Sequence, residues 1–301
     1  MPPLALAAPQ HWPAWLAVAV LWLFAQSPLA LQRALGRALG ALLWTVARRR
    51  RRWAQTNLAL CFPELDEAAR TRLARANFRS LGLGLTEFAR AWWGPLGRLA
   101  ERSAIEGLAE LQATLASGRG AILLSGHFHT LEICGRILTT QVPVAGLYRR
   151  HRSPVFEWAV RAGRLRYAQA MFARDQLRPA VRHLKAGGLL WYAPDQDMLG
   201  RDAVFAPFFG IDAQTITATH QLAKLTGAAV FGFFHRRSAD GRGYQLALTP
   251  PLAQFPGADA TDDAARINAL IEQMVRQAPA EYLWVHRRFK RRPQGAAPFY
   301  D

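Results

Sequence analysis

The chain has 301 residues, of which 51% are hydrophobic, and its 38 Lys and Arg residues outnumber 21 Asp and Glu residues, giving a formal net charge of +17. The apolar fraction excludes a disordered chain and is enough for one large domain or two modest ones. The positive charge favours an acidic partner, a group that includes nucleic acid, an anionic membrane and a polyanionic substrate.

The N-terminal region is predicted to be a membrane anchor. No Asp, Glu, Lys or Arg precedes Arg33, and residues 12–31 are mostly apolar. As a helix they would extend about 30 Å, the thickness of a bilayer's hydrocarbon core. A cleaved signal peptide and a buried core helix are the alternatives. The arginines that follow this stretch place the remaining chain in the cytoplasm. We therefore predict a transmembrane helix within residues 1–32.

Residues 33–104 are predicted to be helical. Arg alternates with Leu and Ala at helical spacing as far as residue 52, which suits an interfacial helix among anionic lipid headgroups. The five arginines before Trp53 could instead contact nucleic acid, but no known nucleic-acid-binding pattern accompanies them, so no nucleic-acid partner is expected. From residue 57 to 101, apolar residues recur every three or four positions, with Asp66 and Glu67 at a predicted helix N-terminus.

Residues 105–301 are predicted to form an α/β catalytic domain. Short apolar runs alternate with helical stretches, a pattern typical of a mostly parallel sheet flanked by helices. The predicted strands are 121–124, 144–148, 189–193 and 230–234, and the predicted helices include 130–139, 155–162, 179–186 and 217–226. Asp240 and Gly241 predict a hairpin turn before a strand at 244–248.

A histidine and a carboxylate, His127 and Glu132, follow the first of these strands. Ligands of open parallel sheets bind beyond the carboxyl ends of the strands, which is where this turn falls. Two residues five positions apart are about 140° apart around a helix, so the pair can meet only if His127 lies in the turn. A carboxylate bonded to one imidazole nitrogen makes the other nitrogen a better base. No GxSxG pattern supplies a nucleophile, so direct attack by a substrate hydroxyl on an acyl group is the natural reaction.

Two other interpretations of these residues remain open. A metal could bind His127 and His129 together with Asp195 and Asp197, which are ligands of suitable type. All of them could also be ordinary polar residues at strand ends. Cys61 and Cys134 lack the spacing of a thiolate zinc site or a disulfide framework.

Several sequence blocks, in one order along about 280 residues, resemble the lipid A biosynthesis lauroyl/myristoyl acyltransferases, which are Kdo-dependent late acyltransferases of the H-x4-D/E superfamily. The blocks are HWPAWLAVAVLWL, TNLALCFPEL, GHFHTLE, YRRHRSPVFEW, GRLR, LLWYAPDQD, VFAPFFG, GRGYQLAL and YLWVHRRFKRRP. The resemblance implies a glycerolipid-acyltransferase-like fold, a single N-terminal span in the bacterial inner membrane and a cytoplasmic catalytic domain.

The resemblance also implies an activity and its residues. An acyl chain would pass from acyl carrier protein to a hydroxyl of a Kdo-lipid IVA type precursor, without a cofactor or metal. His127 would be the general base and Glu132 its orienting carboxylate, while Arg164 and Asp195 would bind substrate or organise the site. Arg149 would bind anionic substrate by analogy. The arginine-rich surface suits the phosphates of such a lipid, the acidic carrier protein and an anionic membrane.

Two other functions remain possible from the sequence. A lysophospholipid or other glycolipid O-acyltransferase would share the catalytic pair but accept a different hydroxyl. A non-enzymatic basic protein bound to membrane or nucleic acid would bind in a salt-dependent way and consume no thioester. The Phe-rich runs 205–209 and 231–234 could line an acyl tunnel, although packing in the core is the commoner role of Phe.

Overall fold

A computed structural model describes residues 3–197 and 203–301. Two short 3-10 turns, Leu4–Ala7 and Pro9–His11, precede the first α-helix. The α-helices described are α1 (Trp12–Gln26), α2 (Leu29–Val46), α3 (Arg48–Cys61), α4 (Glu67–Trp93), α5 (Arg98–Glu101), α6 (Leu108–Ala116), α7 (Leu131–Leu138), α8 (Pro154–Arg164), α9 (Leu177–Lys185), α10 (Ala218–Thr226) and α11 (Ala260–Gln277). The strands described are β1 (Ala104–Glu106), β2 (Ala121–Leu124), β3 (Ala145–Tyr148), β4 (Ala170–Ala173), β5 (Leu189–Tyr192), β6 (Ala203–Phe208), β7 (Ile211–Ile216), β8 (Ala229–Arg237) and β9 (Tyr244–Leu248).

A seven-stranded sheet forms the centre of the fold, in the order β1-β9-β8-β2-β5-β3-β4. All its neighbouring strands are parallel except β8 and β9, which pair antiparallel as the predicted hairpin. Strand β2 lies between β5 and β8, and its four residues are completely buried. Burial on both faces explains why β2 is a continuous apolar run rather than an alternating one. The predicted α/β class with a mostly parallel sheet is confirmed.

The sheet separates two apolar layers. Side chains alternate between the faces of a strand, so Ile122 and Leu124 pack in one layer while Ala121 and Leu123 pack in the other. The first layer includes α3, α10 and α11, and the second includes α6 and α7. The small antiparallel hairpin of β6 and β7 lies outside the main sheet and was not predicted.

The predicted N-terminal transmembrane helix is not observed. Helix α1 ends at Gln26, Ser27 is extended, and α2 begins at Leu29 after Pro28. Proline disfavours helical geometry at the preceding residue, which explains why the apolar stretch 12–31 is broken in two. Within the part of the chain that the structure describes, no helix combines the length and the apolarity that a bilayer crossing requires.

Helix α4 connects the N-terminal helices to the sheet. It begins where predicted, because the Asp66 side chain accepts a hydrogen bond of 2.6 Å from the Ala69 amide and caps the N-terminus. Helix α2 crosses α4 at glycines: a Cβ atom on Gly82 would lie 2.2 Å from the Gly36 carbonyl oxygen and 2.4 Å from the Gly40 nitrogen. These glycines allow the two backbones to touch. Helix α4 also contacts α7 and α8.

Candidate active site

His127 lies in the turn that follows the central strand β2, as predicted. Its backbone amide donates a hydrogen bond of 2.8 Å to Oδ2 of Asp195, and its carbonyl oxygen accepts one of 3.0 Å from the Leu283 amide. The neighbouring Phe128 forms a β-bridge with Tyr282. The turn is therefore fixed from two sides, while 30% of the His127 side chain stays exposed.

The carboxylate that contacts the His127 imidazole is Asp195, at 2.5 Å between Nδ1 and Oδ1. Strands β2 and β5 are parallel and pair Leu124 with Tyr192. His127 and Asp195 each follow these paired residues by three positions, so both turns leave the sheet at the same edge. The prediction that Glu132 hydrogen-bonds His127 is wrong, because Asp195 occupies the position beside Nδ1.

The contact changes the protonation of both partners. Burial lowers the pKa of His127, but the charge of Asp195 and its hydrogen bond raise it, and the net result is a raised pKa. Burial works to raise the pKa of Asp195, yet His127 and the Tyr282 hydroxyl lower it to about 2. Asp195 is thus ionised at neutral pH. With Nδ1 bonded to the carboxylate, Nε2 is the nitrogen left to exchange a proton with a substrate.

Glu132 lies in the first turn of α7 and binds Arg164 instead of His127. Arg164 donates from Nε and Nη2 to the two carboxylate oxygens at 2.6 and 2.7 Å. Trp92 and Tyr167 add hydrogen bonds of 2.6 and 2.9 Å to Oε1. Burial would raise the pKa of Glu132, but Arg164 and these donors lower it. Its carboxylate is therefore saturated by donors from α4, α8 and the segment after α8.

A cavity of about 320 Å³ lies between the His127–Asp195 pair and the Glu132–Arg164 pair. Its lining includes His127, Glu132 and Arg164 together with apolar side chains from the sheet and from α7. The apolar lining residues include Phe88, Leu123, Leu131, Leu138, Val144, Leu147, Met171, Trp191 and Phe233. The volume lies within the range of about 300–1,000 Å³ that is typical of small-molecule sites. Such a lining suits an apolar ligand, and His127 lies in the wall of the same cavity.

The predicted substrate-binding residues occupy different positions around this cavity. Arg149 and Arg164 both line it. Asp195 is 2% exposed and lies behind His127, so its contacts are with the histidine rather than with the cavity. Of the Phe-rich runs, both Phe208 and Phe233 are completely buried, and Phe233 lines the cavity whereas Phe208 does not.

The four residues of the alternative metal site do not all converge: His127 contacts Asp195, but His129 and Asp197 bind other partners. The His129 imidazole and the Ser80 hydroxyl form a hydrogen bond of 2.9 Å. Burial and the charge of Arg237 lower the pKa of His129 to about 3. Asp197 forms an ion pair with Arg291. Within residues 3–197 and 203–301, no cluster of three or more His, Cys, Asp or Glu side chains could hold a metal ion.

Three residues that hydrogen-bond the carboxylates of the site were not predicted from the sequence. Tyr282 hydrogen-bonds Asp195, and Trp92 and Tyr167 hydrogen-bond Glu132. Tyr282 opens the block YLWVHRRFKRRP, and Tyr167 follows the block GRLR, so both adjoin residues that carried the family resemblance. Nothing in the local spacing connects Trp92 with Glu132, which is 40 residues away.

The chain is similar in sequence to several known proteins. The family model described as bacterial lipid A biosynthesis acyltransferase matches residues 4–291. The lipid A biosynthesis lauroyltransferase of Escherichia coli is 40% identical over 98% of this chain and 97% of its own length, and the palmitoleoyltransferase is 38% identical over 97% and 95%. The Escherichia coli myristoyltransferase is 28% identical over 95% and 90%. A solved 1-acyl-sn-glycerophosphate acyltransferase from Thermotoga maritima shares 14% identity over 83% of this chain and 99% of its own, with a TM-score of 0.41.

Proposed function

The chain belongs to the bacterial lipid A biosynthesis acyltransferase family, and from this premise we propose that it transfers a fatty acyl group from acyl carrier protein to a hydroxyl of a Kdo-lipid IVA type acceptor. The observation that carries the proposal is the His127–Asp195 pair at the end of an apolar cavity. A neutral imidazole with a fixed tautomer supplies the base, and the cavity supplies room for an acyl chain.

The reaction follows from these groups. His127 Nε2 takes the proton of the acceptor hydroxyl while that oxygen attacks the thioester carbonyl carbon. The new C–O bond gives a tetrahedral oxyanion, which collapses by breaking the C–S bond. The imidazolium returns its proton to the departing thiolate, so the products are an ester and a free thiol. Asp195 stabilises the imidazolium between these two steps.

Glu132 and Arg164 have a separate role in this proposal. The bidentate ion pair fixes the Arg164 guanidinium at the wall of the cavity. Within the described residues, no protein group hydrogen-bonds its Nη1, which leaves that donor for substrate. Together with Arg149, it gives the cavity a positive edge that suits an oxyanion or an anionic acceptor. Glu132 is thus a positioning residue for Arg164.

The donor and the location of the protein follow from charge and apolarity. The net charge of +17 attracts an acidic carrier protein and anionic lipid. Large hydrophobic side chains are exposed on α1 and α2, including Leu16, Leu23 and Leu42 at 67%, 62% and 56% exposure. Such side chains suit insertion between lipid headgroups. We place the protein at the bacterial inner membrane, where an acceptor glycolipid is available.

A transfer assay tests the proposal. The full chain in detergent micelles is mixed with acyl carrier protein loaded with a lauroyl or myristoyl group and with Kdo-lipid IVA, and the lipid is analysed by mass spectrometry. We expect the acceptor to gain the mass of one acyl group. In His127→Ala the rate should fall about 10²–10⁴-fold, the usual contribution of a general base.

The control for this assay is His11→Ala, which removes a histidine that does not line the cavity around His127. It should retain the wild-type rate. Acylation of a glycerol phosphate acceptor in place of the glycolipid would contradict the assigned acceptor. A His127→Ala rate within threefold of wild type would contradict the assigned base.

A further inference from the structure

A second apolar cavity, of about 670 Å³, lies beside the first, between α1, α2, α4 and α8. We call it the helical groove. Its lining includes Val20 and Phe24 from α1, Leu35 and Leu39 from α2, Phe88 from α4 and Val160 from α8. Thr86 and His151 are its polar lining residues, and the Thr86 hydroxyl already donates to the Leu83 carbonyl oxygen. The lining thus suits an occupant that needs no hydrogen bonds in the groove.

The helical groove shares wall residues with the first cavity, which is lined by His127 and which we call the catalytic cavity. Phe88 lines both. Trp92 lines the groove, and its indole nitrogen donates to Glu132, which lines the catalytic cavity. On α8, Val160 lines the groove, and Arg164, one helical turn further, lines the catalytic cavity. A molecule with one chain in the groove therefore lies within one side-chain layer of the reaction site.

The surroundings of the groove include both exposed apolar side chains and a basic loop. Val20, Leu35 and Leu85 are exposed by 56%, 46% and 43%, so the groove opens towards an apolar surface. His151, which also lines the groove, lies in an exposed loop between Arg150 and Arg152. An amphiphile with apolar chains and an anionic headgroup complements both features, whereas a neutral alkane complements only the first.

We infer that the helical groove binds an acyl chain of the acceptor glycolipid, while the catalytic cavity binds the acyl chain of the donor. The inference rests on the proposed function, because that reaction brings two lipid chains to one histidine. Two neighbouring apolar cavities let donor and acceptor bind together. The acceptor hydroxyl can then meet the thioester at His127 while another part of the same molecule stays anchored in the groove.

The first test fills the groove. Val160→Trp places a large side chain in it, and Val20→Trp does the same from its exposed rim. With saturating lauroyl-acyl carrier protein, we expect each variant to raise the KM for Kdo-lipid IVA about tenfold or more. A tenfold weaker binding of the acceptor corresponds to roughly two methylene groups that are no longer buried. The KM for the donor should stay within about twofold of wild type, because the donor chain lies in the other cavity.

Val46→Trp is the matched control. Val46 is 63% exposed on α2 and does not line the helical groove, so the same substitution there should leave both KM values unchanged. Thermal melts followed by circular dichroism identify any variant that fails to fold. If Val160→Trp does not fold, the KM values of the rim variant Val20→Trp test the inference. Acceptor KM values within twofold of the Val46→Trp control would overturn the inference. A selective rise in donor KM would overturn it as well, by assigning the groove to the donor.

The second test does not depend on turnover. Kdo-lipid IVA carrying a photoreactive diazirine in an acyl chain is irradiated with the full chain, and the labelled peptides are sequenced. Labels on residues 20–24 of α1 and 156–160 of α8 are expected, and labels confined to other surfaces would contradict the assignment. Labelling of the groove without acyl transfer would contradict the proposed function but support the groove as a glycolipid site. Acyl transfer without labelling of the groove would support the proposed function but contradict the groove as a glycolipid site.

Discussion

His127 and Asp195 form a pair in which each side chain depends on the other. The carboxylate fixes the proton on Nδ1, and the imidazole keeps the carboxylate ionised with a pKa of about 2. Tyr282 adds a third contact to this pair from the C-terminal segment. Glu132 forms its own ion pair with Arg164, so the site contains two carboxylates with different tasks. Substitution of one should not reproduce the effect of the other.

Asp195→Asn and Glu132→Gln should differ in their pH profiles. General-base catalysis needs neutral imidazole, so kcat/KM falls as the pH drops below the His127 pKa. Asp195 raises this pKa. Asp195→Asn should therefore shift the acid limb of kcat/KM to lower pH and reduce kcat on the order of 10²–10⁴-fold, because the tautomer is no longer fixed. Initial rates between pH 5 and 9 measure both effects.

Glu132→Gln should reduce kcat/KM without moving the acid limb, since its carboxylate contacts Arg164 rather than the imidazole. It should also lower the melting temperature, because a buried guanidinium loses an ionic partner. The control is Asp175→Asn, whose side chain is 65% exposed. If Glu132→Gln moved the acid limb as far as Asp195→Asn does, the separation of the two pairs would be refuted.

The position of His127 was predictable from the sequence, but Glu132 was wrongly predicted as its carboxylate partner in place of Asp195. His127 follows a buried strand, and catalytic groups gather at such strand ends. Glu132 is near in sequence, whereas Asp195 is 68 residues away and becomes a neighbour only through the register of β2 and β5. Both strands were predicted, so pairing their last residues would have brought the two turns together. The sequence alone does not state which strands are adjacent.

At the scale of elements, the crossing of α2 and α4 depends on glycine. A methyl group on Gly82 would overlap backbone atoms of α2 at 2.2 and 2.4 Å. Gly82→Ala should therefore lower the free energy of unfolding by about 1–3 kcal/mol, as overpacking usually does. Because α2 and α4 both line the helical groove, their separation should also raise the acceptor KM.

Gly135→Ala in α7 is the control for stability, because a Cβ atom there meets nothing within 4 Å. Alanine favours a helix over glycine by roughly 0.5–1 kcal/mol, so this variant should be slightly more stable than wild type. Urea unfolding followed by circular dichroism gives both free energies. Equal stability of Gly82→Ala and wild type would show that the helices can separate at no cost.

The sequence predicted elements well where burial is uniform and less well where tertiary context decides. Strands β2 and β9 have the predicted bounds, since a short apolar run and an Asp-Gly turn are local signals. The apolar stretch 12–31 indicated one helix, but Pro28 divides it, and a proline outweighs hydropathy in determining where a helix ends. Strand β4 was missed because three of its four residues are only half-buried. The hairpin of β6 and β7 was missed because buried and exposed residues are mixed along both strands, so neither is a continuous apolar run.

At the scale of the whole molecule, the exposed apolar side chains and the charge act together. Exposed hydrophobic residues gather on α1 and α2, and arginines follow in α3. Apolar side chains insert below the headgroups while cations bind lipid phosphates, so the two contributions add at an anionic membrane. Residues of the same two helices line the helical groove, so the proposed attachment through α1 and α2 would bring the groove close to lipid.

Vesicle binding tests this arrangement. The full chain should sediment with vesicles that contain anionic phosphatidylglycerol more than with neutral vesicles, and the difference should shrink as salt rises. Leu16→Glu places a charge on the apolar face of α1 and should weaken binding about tenfold or more, since a charged side chain resists transfer into lipid. Leu225→Glu makes the same change at a side chain of α10 that is 58% exposed, against 67% for Leu16, and should bind as wild type does. Equal loss in both variants would mean that total charge governs attachment, whereas a selective loss in Leu16→Glu identifies α1 as the membrane-facing helix.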